Sequence, residues 1–391
     1  MKLRGIAELP LHYGRMPRWL YVEMVKLAEE ICKIIVFEYG KRDLLNKLSN
    51  PFWFQALGCV LGFDWHSSGL TTTVTAALRD AFKKAEIQLF VAGGKGKVSK
   101  KTPQHIRNYC QAINIPEWKI ERLIDKSKII AKIDNAVLQD SYDLYHHAFI
   151  FDESGRYCVV QQGMNTFSKY ARRYHWIYET IEEKGFFNDS HSGIITAFKL
   201  PKVIDIGSTK SKEARAKILD LAKEPMTVKK EYAKLILDNY QRTLHEWLKI
   251  PYSEISEAIK ERQARREIKK LVMQSEHELF TLPKKVDWKA LREAYERQPK
   301  KFEDLLKIKG IGKANLRALA LISALIYGEE PSWKDPASYS FAHGGKDGIP
   351  YPVSKAKMEK SIQVLQEAIE EANIGKRQKL DALKRLQWFL D

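Results

Sequence analysis

The spacing of apolar residues along the chain predicts a mainly helical protein. From residue 17 to residue 50, apolar side chains recur every three or four positions, which predicts a long amphipathic helix followed by a shorter one. The same spacing predicts further helices over residues 74–84, 103–112, 116–130, 232–279 and 287–297. Helical segments therefore account for most of the chain.

Two apolar runs in the middle of the chain predict a β-hairpin. Residues 145–150 and 157–161 have strand character, and the DESG sequence at 152–155 has the composition of a tight turn. Residues 87–91 predict one more strand. We therefore expect an α+β fold that is mainly helical and contains a small, mostly antiparallel sheet.

A short glycine-containing segment, KIKGIGKAN at 307–315, is typical of the turn in DNA-binding helix-hairpin-helix motifs. Gly310 and Gly312 permit backbone angles that a Cβ would forbid, and they leave N–H groups free to hold a phosphate at a helix N-terminus. Apolar residues on either side predict two short helices. Four basic residues flank the turn and would grip phosphates without reading sequence: Lys307, Lys309, Lys313 and Arg317. The alternative is an ordinary helix–helix turn with solvated lysines.

These patterns divide the chain into three regions. We expect an α+β catalytic domain over 1–200, a helical connecting region over 201–282 and a helix-hairpin-helix DNA-binding domain over 283–391. The TLPKK sequence at 281–285 marks the second boundary. A chain of 391 residues is long enough for two or three domains with cores of their own.

The charge of the chain suits a polyanionic partner. Lys and Arg number 66 against 49 Asp and Glu, which gives a net charge of +17. The excess is concentrated at 93–107 and 260–270, so we expect DNA as the partner, bound mostly through its phosphates. Further predicted DNA contacts are Lys97, Lys100, Arg172 and Arg173.

Several classes of protein do not fit the sequence. The four cysteines are scattered without a CxxC pair, which disfavours a thiolate zinc site and a disulfide framework. Signal-peptide character and long apolar runs are absent, so we expect a soluble cytoplasmic protein without a membrane partner. The GGKGKVS sequence at 93–99 lacks the spacing of a nucleotide-binding P-loop, so no nucleotide cofactor is expected.

Four polar clusters lie at predicted turns, where packing alone would not require such side chains. They fall at residues 64–69, 93–97, 140–147 (extended across the predicted hairpin to Gln161 and Gln162) and 343–348. If the third segment is helical, its spacing places Asp140, Asp143 and His147 on one face, suited to Mg²⁺, Mn²⁺ or acid–base chemistry. An extended segment would weaken that argument. The predicted catalytic residues are Asp64, His66, Lys95, Asp140, Asp143, His147 and Lys346.

Seven sequence blocks resemble the archaeal and bacterial domain-of-unknown-function family numbered 763. They lie at residues 7–20, 51–74, 91–103, 138–149, 159–165, 171–176 and 339–353. The resemblance covers nearly the whole chain. It implies that these sequence blocks and the C-terminal hairpin occur together in one family, but it implies no reaction.

A weaker resemblance is to helix-hairpin-helix DNA glycosylases, which carry a lysine two positions after the second glycine of the turn and an aspartate further on. Ala314 occupies that lysine position here, which counts against a lyase nucleophile. Asp335 stands where the aspartate is expected, so a monofunctional glycosylase using Asp335 is one alternative. The leading hypothesis is a structure-selective nuclease in DNA repair or recombination, and a non-catalytic DNA-binding protein is the other alternative.

Overall fold

The computed structural model describes residues 17–63, 68–165, 170–197, 199–237, 281–340 and 355–390. Its helices are α1 (Arg18–Ser49), α2 (Pro51–Val60), α3 (Gly69–Ala85), α4 (Thr102–Ala112), α5 (Glu117–Lys132), α6 (Tyr178–Lys184), α7 (Lys212–Ala222), α8 (Pro225–Leu237), α9 (Trp288–Arg297), α10 (Phe302–Lys307), α11 (Lys313–Tyr327), α12 (Lys355–Glu371) and α13 (Lys376–Leu390). Its strands are β1 (Leu89–Lys95), β2 (Leu138–Gln139), β3 (Asp143–Asp152), β4 (Tyr157–Met164), β5 (Ala171–Ile177), β6 (Gly193–Thr196), β7 (Ile204–Asp205) and β8 (Tyr339–Ser340). The predicted mainly helical α+β fold is confirmed.

The central sheet has six strands in the order β1-β3-β4-β5-β6-β8. Neighbouring strands run antiparallel except β6 and β8, which are parallel. The predicted hairpin forms β3 and β4, both longer than the apolar runs that indicated them. The turn between them includes Gly155 at φ +90°, a conformation that glycine adopts without strain.

Helices cover both faces of this sheet. Successive residues of a strand point to opposite sides, so a strand with apolar residues at consecutive positions needs a packing partner on each face. Along β3, Ala148 and Ile150 pack with α1, α2 and α3, whereas Phe149 and Phe151 pack with α4 and α5. The segment from 171 to 177, which is polar and basic in sequence, is a fully buried strand in the middle of the sheet.

Burial in this central strand overturns two predicted DNA contacts. Arg172 and Arg173 are both 0 % exposed, and each is paired inside the protein. Arg173 donates to Oε1 of Gln55 at 2.9 Å. The prediction that these two arginines bind DNA is therefore wrong for this conformation, because neither guanidinium reaches the surface.

Arg172 forms a buried ion network that joins distant parts of the chain. Its guanidinium contacts Oδ2 of Asp140 at 2.9 Å and Oδ2 of Asp335 at 2.7 Å. The carboxylate of Asp335 also accepts the backbone N–H groups of Leu200, at 2.7 Å, and Ala337, at 2.9 Å. Asp335 thereby holds the segment after α11 against the sheet.

The predicted division into domains does not match the packing. The last two helices, α12 and α13, share a core with α1, α2 and α3 rather than with the predicted DNA-binding region. Helices α9, α10 and α11 instead share a core with α5, α7 and the other face of the sheet. Residues 238–280 of the predicted connecting region lie outside the described residues.

Removal of the Arg172 guanidinium should lower the free energy of unfolding more than removal of a surface arginine does. In Arg172→Met, the buried carboxylates of Asp140 and Asp335 lose their cation, and we expect a loss of about 3–5 kcal/mol of unfolding free energy. Arg297→Met is the control, since it breaks an exposed pair with Glu293 and should leave stability unchanged. Denaturant unfolding of both variants measures this, and equal losses would contradict it.

Candidate functional site

The glycine turn between α10 and α11 (residues 308–312) is held against the start of α9. Gly310 has φ +92°, and a Cβ there would lie 2.5 Å from Oδ2 of Asp287 and 2.8 Å from Cβ of Ala290. The side-chain amide of Asn315 fixes the same place, accepting from the N–H of Asp287 at 2.9 Å and donating to its carbonyl at 3.0 Å. Both conformation and close packing therefore require glycine at 310.

The N-terminus of α11 begins at this turn without a side-chain cap. Gly312 is the capping residue and supplies no side-chain acceptor. The first N–H groups of a helix lack partners within the helix, so they are available to an anion. Lys307 and Lys309 are exposed beside the turn. Lys313 is half-buried, and its Nζ lies 3.1 Å from Oδ1 of Asp143.

Arg317 does not occupy the exposed position that sequence predicted. Its side chain is 7 % exposed, and Nε donates to Oε1 of Gln139 at 2.9 Å. Gln139 in turn donates to the carbonyl of Lys313 at 2.9 Å. Arg317 therefore fastens α11 to β2, and its predicted contact with DNA is wrong in this arrangement.

Two neighbouring cavities on the surface of α5 share Lys128 and Lys132 as lining residues. The first, of about 470 Å³, is lined by residues 146 and 147 of β3, of which His147 turns its ring toward α5, and by Lys100, Lys128 and Lys132. The second, of about 390 Å³, is lined by Lys128 and Lys132 together with the start of the glycine turn. We name the two cavities together the lysine groove; its cations are Lys100, Lys128, Lys132, Lys307 and Lys309.

The lysine groove carries an unbalanced positive charge. Asp125 is the acidic residue on its walls, and its carboxylate pairs with Lys307 at 3.2 Å. Within the part of the chain that the structure describes, Lys128 and Lys132 have no ion-pair partner. Partial burial lowers the pKa of Lys132, because a cation loses hydration there. An anion in the groove would offset that cost.

Sequence reasoning missed Lys128 and Lys132. Their i, i+4 spacing was the available signal, since it places both on one face of a helix, but the helix predicted from sequence ended at residue 130, short of Lys132. A pair of lysines on a helix is usually only solvated. Their special position depends on the glycine turn and on β3, which are far away in sequence and close in the fold.

The two histidines of β3 are buried and point to opposite faces of the sheet. Nε2 of His146 lies 3.1 Å from Oγ1 of Thr75 on α3. On the other face, Nε2 of His147 lies 2.8 Å from Oγ of Ser127, and Nδ1 lies 2.6 Å from Oε1 of Gln161. Burial lowers the pKa of His146 to about 3 and also lowers the pKa of His147. Both rings are therefore neutral at neutral pH.

The predicted metal site of Asp140, Asp143 and His147 does not form. Asp140 is paired with Arg172, whereas the side chain of Asp143 is 70 % exposed and pairs with Lys313. The physical reason is that residues 143–152 are extended, so the helical spacing behind the prediction does not apply. The described residues contain no group of three His, Cys, Asp or Glu side chains that could hold a metal ion.

The remaining predicted site residues are scattered. Lys95 lies at the end of β1 on a separate cavity of about 540 Å³ with Arg79, and Lys97 is exposed on the 3-10 helix Gly96–Lys101. Asp335 is 4 % exposed and fully engaged by Arg172 and backbone N–H groups, which counts against a glycosylase role. Three predicted catalytic residues lie outside the described residues: Asp64, His66 and Lys346.

The fold and the groove thus define a mainly helical α+β protein with a lysine-lined surface groove that leads to a buried histidine. The chain matches a family described as protein of unknown function (DUF763) over residues 5–353, and it belongs to that family. No curated protein and no solved structure matches it. Among the described helices, none has the length and apolar character needed to span a membrane.

The buried histidines should make the folded state sensitive to acid. The unfolded chain protonates His146 below its ordinary pKa of about 6.5, but the folded protein does so only near pH 3. Stability contributed by the neutral ring is therefore present above pH 6.5 and is lost as pH falls toward 3.

A variant isolates this effect. His146→Gln keeps a polar side chain near Thr75 but removes the proton uptake, so its unfolding free energy should fall less steeply between pH 6 and pH 4, by about 1.4 kcal/mol per pH unit. Burial raises the pKa of Asp205 to about 7, so its protonation changes the unfolding free energy with pH in the opposite direction. That contribution is the same in both proteins and drops out of the difference between their slopes. Denaturant titrations at each pH measure the slopes, and identical slopes would contradict the assignment.

Proposed function

We propose that this protein is a DNA-processing enzyme, a nuclease that binds the phosphate backbone in the lysine groove and cleaves it at the His147 end. The observation that carries the proposal is that Lys128 and Lys132 line both cavities. They connect the glycine turn with the histidine through one basic surface. A polyanion that lies along this surface would meet several cations and few acids.

Backbone recognition fits the chemistry of the groove better than base recognition. Its charged side chains are lysines, which act as mobile point charges, whereas bidentate reading of a guanine edge favours arginine. At the turn, the uncapped N–H groups of α11 add a second phosphate-binding device. These features support binding without sequence preference, as is typical of contacts to phosphates.

Cleavage is supported by the environment of His147. Phosphodiester hydrolysis needs cations near the phosphoryl oxygens and a base that removes a proton from the attacking group. Lys100, Lys128 and Lys132 line the same cavity as a histidine that is kept neutral by burial. A neutral imidazole is the form that accepts a proton.

Loss of the two shared lysines should weaken DNA binding and its dependence on salt. For Lys128→Gln/Lys132→Gln, we expect at least about a tenfold loss of affinity and a reduction of about 2 in the slope of log K against log salt, because each phosphate contact contributes about 0.9. Fluorescence anisotropy with a labelled duplex measures both. Lys83→Gln/Lys84→Gln removes the same charge from the exposed end of α3 and should bind normally. Equal losses of affinity in the two variants would mean that the net charge of the protein, and not the lysine groove, determines DNA binding.

The glycine turn should contribute through its conformation. Gly310→Ala places a methyl group against Asp287 at a positive φ, so we expect the turn to shift and DNA affinity to fall. Gly328→Ala is matched, since it has φ +73° and nothing within 4 Å of the added Cβ. Each variant should lose roughly 1–2 kcal/mol of stability through left-handed strain. Gly310→Ala should lose more, because its methyl group also clashes with Asp287 and Ala290, and it alone should bind DNA more weakly. Normal binding by Gly310→Ala would remove the turn from the proposed interface.

The reaction itself is tested with labelled flap, bubble, linear, abasic and deaminated-base substrates, each with and without Mg²⁺ or Mn²⁺. Strand cuts are the expected result. Alkali-labile sites at one damaged base would indicate a glycosylase instead. Binding without product on every substrate would leave a DNA-binding protein and overturn the nuclease proposal.

A further inference from the structure

A chain of hydrogen bonds leads from the first cavity of the lysine groove into the core. Oγ of Ser127 on α5 lies 2.8 Å from Nε2 of His147, whose Nδ1 lies 2.6 Å from Oε1 of Gln161. The Gln161 amide then donates to Oδ2 of Asp134. Ser127 and His147 both line the cavity, so the chain begins where a ligand would bind.

The partners of Gln161 fix the proton on His147. Nε2 of Gln161 faces two acceptors, the Asp134 carboxylate and the carbonyl of Ile130 at 3.4 Å, so the amide nitrogen must be on that side. Its oxygen therefore faces the imidazole and accepts a hydrogen bond from Nδ1–H. Nε2 is then the unprotonated nitrogen, and it accepts the hydroxyl proton of Ser127.

Asp134 is itself held in place by the core. Its Oδ2 accepts the indole N–H of Trp176 at 2.8 Å, and its Oδ1 lies 2.6 Å from Nε2 of His191. The carboxylate is 0 % exposed. Gln161 and Asp134 thus hold the imidazole in the orientation that a general base beside a serine requires.

We propose that Ser127 is the nucleophile in cleavage of a nucleic-acid phosphodiester, with His147 as its general base and Gln161 and Asp134 as positioning residues. This inference rests on the proposed function, because it requires the DNA backbone to reach the histidine end of the lysine groove. An unassisted serine hydroxyl is a weak nucleophile, and an adjacent neutral imidazole activates it. Lysines on the same cavity supply the charge that the phosphoryl oxygens need.

The reaction balances in two steps. Ser127 Oγ attacks phosphorus while its proton moves to His147 Nε2, an Oγ–P bond forms and the bond from phosphorus to the leaving sugar oxygen breaks. The leaving oxygen takes the proton back from His147. Water then attacks the phosphoserine diester, again losing a proton to His147, and the serine oxygen leaves with that proton. No oxidant or reductant takes part.

The covalent intermediate is the most direct test. Wild-type protein is incubated in excess EDTA with oligonucleotides that carry bridging 5′- or 3′-phosphorothiolates, whose thiolate leaves readily and speeds the first step. The mixture is denatured in acid within the first turnover, before water attacks the phosphoserine diester. We expect a protein–DNA adduct that survives denaturation, with the nucleotide on Ser127 in peptide mass spectrometry. An adduct on another residue would overturn the assignment. Cutting that requires Mg²⁺ or Mn²⁺ and yields no adduct would also overturn the assignment.

Variants separate this inference from the proposed function. Ser127→Ala should lose adduct and cutting by at least about a thousandfold yet bind the duplex normally. Ser323→Ala is the matched control, since it removes another buried helical hydroxyl, and it should cut as wild type does. Gln161→Leu should lower the single-turnover rate without changing DNA affinity, as expected of a positioning residue.

These measurements separate the serine nucleophile from the nuclease proposal. Cutting by Ser127→Ala at the wild-type rate would overturn the serine nucleophile and leave the nuclease proposal standing. Absence of DNA binding in wild type would remove both. Binding by wild type without cutting or adduct would overturn the nuclease and the nucleophile and leave only the DNA-binding groove.

Discussion

The position of the groove depends on the buried guanidinium of Arg172 and on the residues that meet beside it. Arg172 pairs with Asp140 at the entry to β3 and with Asp335 after α11, so two distant segments are fixed to the central strand. Next to Asp140, Gln139 bonds to the start of α11. These contacts place the glycine turn beside α5. The second cavity of the lysine groove lies between them and shares Lys128 and Lys132 with the first.

Much of the local structure could be predicted from the sequence, because local patterns determine it. Helices predicted at 103–112 and 116–130 occur as Thr102–Ala112 and Glu117–Lys132. The hairpin and its turn also formed where alternation and composition placed them. What failed was the assignment of Arg172 and Arg173 to the surface. A basic segment is usually exposed, and only the tertiary fold shows the buried carboxylates that pair with Arg172 and the Gln55 amide oxygen that accepts from Arg173.

The candidate site was harder to predict for the same reason. His147 was predicted as a site residue, in a cluster that extended across the hairpin to Gln161 and Gln162. The metal site, however, was inferred from helical spacing between residues 140 and 147, and residues 143–152 form a strand. The residues that do surround it come from α5, β4 and the π-helical turn after α5. Ser127 and Asp134 were not predicted, because no motif links them to His147 and they meet it only through the packing of α5 on the sheet.

The central claim is that one nucleic-acid backbone lies along the whole lysine groove, and lysine reactivity measured by mass spectrometry tests it most directly. The protein is acetylated briefly with and without a saturating duplex, and protection is compared at each amine. We predict that Lys128, Lys132, Lys307 and Lys309 are protected together while Lys83 and Lys84 stay reactive. Protection that omits Lys128 and Lys132, or that is equal across all of these lysines, would contradict it.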